Sequence, residues 1–111
     1  MPDTELCIIG LEELSSLLRD RRVSPVEVTQ AYLKHIDVLD ETLNTYITVM
    51  ADQALADARH CEGEILRGDY RGPLHGVPVA LKDLYDTAGV RTTAASKIYA
   101  HRVPDEDATS V

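Results

Sequence analysis

Leu11, Leu14, Leu17 and Leu18 recur at intervals of three and four residues, which predicts a short helix with one apolar face that runs into the charged stretch 19–22. Ser24-Pro25-Val26-Glu27 then marks the start of a second helix. The Ser24 hydroxyl suits the free amides of a first turn, Pro25 suits a position whose N–H would go unpaired, and Glu27 can reach back to complete a capping box. Val28, Ala31, Tyr32, Ile36, Leu39 and Leu43 carry this helix forward as an apolar stripe, with Lys34, Asp37 and Asp40 on the other side. A third helix is predicted from Ala51, where Ala54, Leu55, Ala58, Cys61 and Ile65 repeat with helical spacing and Gly68 supplies a stop before Arg71-Gly72-Pro73. Gly63 weakens its last turns by roughly 1 kcal/mol relative to alanine, so fraying is expected there.

Between and after the helices the pattern changes. Tyr46-Ile47-Thr48-Val49 is β-branched and aromatic and too short for a helix, which predicts a short strand or extended connection. Gly72, Gly76 and Pro78 punctuate a tight approach to Val79-Ala80-Leu81, an apolar run suited to a buried strand that ends on Lys82. Residues 86–89 read as a turn, 90–93 as a second extended piece, and 104–107 as a loop whose acidic end can cap a following helix. The pattern breaks off at Val111 as that element begins, so a partial domain is expected.

With 111 residues there is enough chain for one domain and one modest core. Its apolar fraction of 44% and charged fraction of 27% are those of an ordinary globular domain, which excludes wholesale disorder or a fibre. No apolar run approaches the ~18 residues of a membrane span, and residues 1–10 lack the basic start and apolar middle of a secretory signal. A cytoplasmic protein with no membrane partner is expected. Cys7 and Cys61 are too few and too far apart for a disulfide framework and read as reduced structural thiols. The net charge of −8 repels phosphate backbones, so direct nucleic-acid binding is not expected.

Chemistry along the chain centres on Lys82. A lysine ending an apolar strand ordinarily packs its stem and sends its ammonium to solvent or to the adjacent Asp83. A desolvated amine, in contrast, gives up its proton more readily and can serve as a base near neutrality. Spacing alone leaves both readings open. His60 and Cys61 are adjacent, but no other histidine or cysteine stands at a metal-site spacing, so a metal centre is not expected. His35 and His101 have no partners in the sequence, the acidic residues 105–107 read as solvated loop charge, and the glycines form no phosphate-binding pattern.

The string Gly72-Pro73-Leu74-His75-Gly76-Val77-Pro78-Val79-Ala80-Leu81-Lys82-Asp83 closely resembles the lysine motif of the amidase signature family. The resemblance continues through residues 86–93 and Ser96-Lys97, and upstream through the capped helix and residues 43–49. It departs at Ala95, where the family commonly has glycine. The resemblance implies an α/β fold of α/β/α layers with a mixed central sheet, of which residues 1–111 would be one partial domain. Helices would occupy 11–67 and the lysine-motif strand region 72–97.

It further implies a serine nucleophile, a bridging serine held by a cis peptide bond, and Lys82 as the catalytic base. His75 would structure the loop. The family's serines lie in a Gly-Ser-Ser-Gly-rich segment, and Ser15, Ser16, Ser24, Ser96 and Ser110 have no such surroundings. The implied function is the N-terminal part of an amidase acting on a small-molecule amide, with no cofactor. An amidotransferase branch of the family, which releases ammonia from glutamine for a partner subunit, is the alternative. Leu84 tilts towards general amidases, because that branch more often has asparagine there. A non-catalytic remnant or interaction module is a reading of another class. Apolar faces left uncovered would then lead to self-association or to a partner subunit.

Overall fold

Leu14, Leu17 and Leu18 of the first leucine repeat are buried, Leu18 to 1% exposure, whereas Leu11 at its head is 54% exposed. They lie on α2 (Leu11–Arg19), which follows a four-residue helix α1 (Asp3–Leu6) and precedes α3 (Pro25–Leu43) and α4 (Ala51–Leu66). The computed structural model describes residues 2–111, and the described chain divides into two compact units, 2–78 and 79–111. All four helices belong to the first unit.

The core of that unit gathers Leu6, Leu14, Leu17, Leu18, Val23, Val28 and Ala31, with Cys7, Ile9, Tyr32 and Val77 packed against it. Helix α3 packs on both α1 and α4. Its apolar stripe is covered where Val28 and Ala31 meet the core and opens to solvent at Leu39 and Leu43. The predicted capping box is present: the Glu27 N–H donates to Ser24 Oγ at 3.1 Å, and the Ser24 N–H donates to Glu27 Oε2 at 2.8 Å. Two of the helix's free amides are thereby paired, and the start of α3 is fixed at Pro25. At its other end Asn44 turns left-handed at φ 51°, while the Asp40 carboxylate accepts the N–H groups of Thr45 and Tyr46 at 2.6 and 3.1 Å.

Two joints tie the helix ends together. Arg21 takes φ 57° after α2, which brings the Arg22 N–H within 2.9 Å of the Leu17 carbonyl and closes the helix as a left-handed C-terminal turn does. The Arg21 guanidinium then donates to the carbonyl of Ile65 in the last turn of α4, at 3.0 Å. Helix α4 remains helical across Gly63 as far as Leu66, and Gly68 at φ 89° carries the chain out of it.

The expected α/β fold with a mixed sheet is not what the chain adopts: among the described residues there are helices, turns and irregular segments, and no strand. The three segments expected to be extended, 46–49, 79–81 and 90–93, enter no β-ladder. The physical reason is pairing. A strand exists only where a neighbour takes its N–H and C=O groups, and a strand of a mixed sheet needs cover on its faces as well. Val79 is 68% exposed and Leu81 46%, so the apolar run that suggested a buried strand is instead open. The nearest thing to strand pairing is in the second unit, where the Gly89 N–H donates to the Pro104 carbonyl at 2.9 Å and the Thr92 N–H to the Arg102 carbonyl at 3.0 Å. Among the described residues no helix is long and apolar enough to cross a membrane.

Candidate functional site

Lys82 lies in the second unit, at the head of a turn in which its carbonyl accepts the Tyr85 N–H at 3.0 Å. Its side chain is exposed, and none of the ion pairs among the described residues includes it. The carboxylate next to it in sequence is engaged elsewhere. Asp83 Oδ1 accepts the Thr93 N–H at 2.9 Å, and Oδ2 accepts the Thr93 hydroxyl. These bonds from Thr93, first the hydroxyl and then the amide, hold the Asp83 carboxyl below the usual aspartate range. The Asp83 carbonyl in turn accepts the Ala94 N–H at 2.7 Å.

Polar fasteners hold the rest of this unit. Arg102 grips Asp86 with two parallel bonds of 2.7 and 2.8 Å, which lower the Asp86 carboxyl, and the guanidinium also lies 5.7 Å from the centre of the Tyr99 ring. Asp107 Oδ1 accepts the Ala88 N–H at 2.7 Å. That carboxylate, expected to cap a further helix, therefore closes a loop. Thr92, Thr93 and Pro104 are its buried residues. The unit depends on hydrogen bonds more than on an apolar core.

In the first unit the structure brings together residues that the sequence kept apart. The His75 side chain is 2% exposed, and its Nε2 lies 2.7 Å from Glu64 Oε2. Its Nδ1 accepts the backbone N–H of Arg71 at 3.0 Å. Because that amide can only donate, the ring proton sits on Nε2 and is given to Glu64. Glu64 also receives the Arg71 guanidinium at 2.8 Å and lies 3.2 Å from His60 Nε2. Desolvation raises the Glu64 carboxyl, but the bond from His75 and the charge of Arg71 outweigh it, and the net position is below the usual glutamate range. His75 thus braces the loop that begins the lysine motif, while Tyr70 stacks on its ring at 5.9 Å.

Cys61, Glu64 and His75 place their ligand atoms within 4.8 Å of one another, a juxtaposition that spacing along the chain does not reveal. The donor chemistry does not suit a metal. A metal-bound histidine donates its second ring N–H to an acceptor. Here the second nitrogen faces another donor, and Glu64 is already shared between an imidazole and a guanidinium. Glu64, His75 and Arg71 form a hydrogen-bonded brace, with Cys61 beside it.

The hydroxyls are used locally. Ser16 donates to the Glu12 carbonyl at 3.0 Å, Ser24 caps α3, and Ser96 Oγ accepts the Ile98 N–H at 3.2 Å. Among the described residues none forms a hydrogen bond with the Lys82 amine. His35, His101, Asp105 and Glu106 are exposed.

A family model described as Amidase matches residues 27–111, which include α3 from its third residue onward, α4, the His75 brace and Lys82. The A subunit of glutamyl-tRNA(Gln) amidotransferase from Geotalea daltonii is 46% identical over 107 residues, covering 96% of this chain and 22% of that protein. Its namesake from Geobacter sulfurreducens is 47% identical over the same coverage, and that of Thioalkalivibrio sulfidiphilus is 46% identical over 91% of this chain and 21% of its own. The chain therefore spans about a fifth of the length of these curated relatives. Since the family match takes in most of its residues, including the whole lysine motif, the chain belongs to the amidase family.

Proposed function

We propose that this chain is the lysine-bearing segment of an enzyme that breaks carbon–nitrogen amide bonds through an acyl-enzyme, with Lys82 as the base. The observation that carries the reading is the state of Lys82. It is the lysine of the family's motif, it has no ion-pair partner among the described residues, and the carboxylate beside it is committed to Thr93. A base must be free of a counter-ion that would favour its protonated form.

In the proposed reaction the uncharged Lys82 amine takes a proton from the bridging serine, which takes one from the nucleophilic serine. The nucleophile's oxygen then bonds to the substrate carbonyl carbon. As the carbon–nitrogen bond breaks, the same proton returns along that path to the departing amine or ammonia, and water later releases the acyl group. Both serines would come from residues outside these 111. In that whole enzyme a closed site would desolvate the amine.

The relatives are named as A subunits of glutamyl-tRNA(Gln) amidotransferase, which favours the amidotransferase branch of the family, in which glutamine would be the amide and ammonia would pass to a partner subunit. Leu84 is the residue that argues for a free-standing amidase instead. One chimera tests the base: this chain replaces the matching segment of the Geotalea daltonii relative, and ammonia release is followed with glutamine and with simple aliphatic amides. The expected result is turnover that is lost on Lys82→Ala and on Lys82→Arg, whose guanidinium does not deprotonate. A folded chimera that turns over equally well without Lys82 overturns the assignment of the base.

A further inference from the structure

The Thr93 amide and hydroxyl each hold one oxygen of the Asp83 carboxylate. The same hydroxyl accepts the Ala95 N–H at 3.3 Å, and the Asp83 carbonyl accepts the Ala94 N–H at 2.7 Å. Thr93 is buried, at 6% exposure. The residues that follow it, Ala94 and Ala95, stand at φ 51° and 56°. Two consecutive left-handed alanines are costly and persist only where surrounding bonds determine them.

The consequence falls on Lys82. A lysine's long stem can bring its ammonium to an aspartate that follows it when that carboxylate is free, and such a neighbour favours the charged amine. Here that carboxylate is turned to Thr93 and has both its oxygens engaged. We propose that Asp83 and Thr93 are a positioning pair: the Thr93 clamp keeps the Asp83 carboxylate from becoming the counter-ion of Lys82 and fixes the direction in which the chain leaves the lysine. The catalytic part of this inference rests on Lys82 as the base. The electrostatic part stands without it.

The first test therefore needs no activity. The chain contains three lysines, Lys34, Lys82 and Lys97, so ¹³C-dimethylated amines give a small set of NMR signals that can be titrated in the 111-residue protein. Thr93→Val keeps the shape of the side chain and removes the hydroxyl. The Lys82 titration is expected to move to higher pH in this variant, by more than any movement of Lys34 and Lys97. Thr93→Ser restores the hydroxyl and is expected to restore the curve. Asp83→Asn combined with Thr93→Val removes the freed charge and is expected to abolish the movement. An unchanged Lys82 curve in Thr93→Val, equal movement in Thr93→Ser, or persistence in the double variant overturns the clamp.

In the chimera, Thr93→Val is expected to lower kcat by up to about 100-fold with little change in KM, since misplacing a reacting group by about 1 Å has that effect. It is also expected to move the acidic limb of the pH–rate profile to higher pH, and Thr93→Ser is expected to recover both. Equal loss in the two variants, or a lower rate with an unmoved profile, assigns Thr93 to folding alone and overturns the positioning role. Turnover that survives Lys82→Ala overturns the base reading instead, and the lysine titration then still decides the clamp.

Discussion

The His75 imidazole, buried at the start of the lysine motif, gives its Nε2 proton to Glu64 Oε2 on α4 across 2.7 Å while its Nδ1 accepts the Arg71 amide. One ring therefore fastens a helix to the loop that leaves it. Removing it leaves a backbone donor and a half-buried carboxylate short of a partner. His75→Ala is expected to cost about 1–3 kcal/mol of stability, read as a lower midpoint in urea. His75→Gln, which can offer one acceptor and one donor, should recover part of the loss. An unchanged midpoint in His75→Ala would mean that the brace holds nothing.

The same brace sets a pH dependence. The Glu64 carboxyl lies below its usual range in the folded chain, so the unfolded chain binds its proton first as the pH falls. The stability it contributes is complete above the ordinary glutamate pKa of about 4.3 and is lost as the pH drops through the lower folded value. Unfolding measured from about pH 6 down to pH 3 should show a decline that is shallower in Glu64→Gln. Identical slopes for the two proteins would exclude this carboxylate as a source of the acid sensitivity.

At the other end of the first unit, the capping box joins Ser24 and Glu27 through two bonds of 3.1 and 2.8 Å. Ser24→Ala should cost about 1 kcal/mol, and Ser24→Gly less, because glycine is itself tolerated at that position. Glu27→Gln retains the acceptor and should cost less than Glu27→Ala. Helicity by circular dichroism together with the denaturation midpoint reads the effect.

Local chemistry is legible in the sequence and pairing at a distance is not. The capping box, the buried face of Leu14, Leu17 and Leu18 on α2 and the stop at Gly68 depend on residues within one or two turns of each other, and they stand where the pattern puts them, with Leu11 alone of the leucines in that repeat left open. Helix α1 spans four residues, too few to show a period. The expected strands fail because composition describes what a segment is suited to, whereas a ladder also needs a partner segment in register. Glu64 escapes notice as the partner of His75 for a related reason: eleven residues and a helix end separate them, and only the fold brings them together. The same fold brings Cys61 beside His75, against the argument from spacing, yet the tautomer imposed by Arg71 keeps that cluster from being a metal centre. Asp83 invites the reading of a counter-ion for Lys82, but sequence adjacency carries no information about which way a carboxylate turns.

Ser16, Ser24 and Ser96 are each occupied with nearby backbone groups, and no hydroxyl among the described residues bonds to the Lys82 amine. A lysine without a serine relay has nothing to deprotonate, so the 111-residue chain by itself is expected to release no ammonia from glutamine or from aliphatic amides. A sensitive enzymatic ammonia assay on purified protein checks this. Turnover that disappears on Lys82→Ala would show that the chain already contains a nucleophile, and Ser96 would be the first residue to replace.

Gly76 stands six residues before Lys82, and its backbone explains why no other residue fits there. It adopts φ 85°, and a Cβ built on it would come within 2.7 Å of Pro25 Cγ and 3.2 Å of Pro25 Cβ, with Ile65 Cδ1 at 3.6 Å. Pro25 is itself held as the first residue of α3 by the capping box, so the ring cannot easily retreat. Gly76→Ala therefore meets two separate penalties. The left-handed backbone costs a residue with a Cβ about 1–2 kcal/mol, and the contact with the proline adds overpacking of similar size. Pro25→Ala shortens the ring to a methyl and relieves most of the second penalty while leaving the first intact. In a double-mutant cycle, Gly76→Ala should thus be markedly less harmful in the Pro25→Ala background, with about 1–2 kcal/mol still lost to the backbone. Strict additivity of the two substitutions would show that the loop does not press on the start of α3, and an entirely neutral Gly76→Ala would show that the loop does not hold this left-handed turn at all.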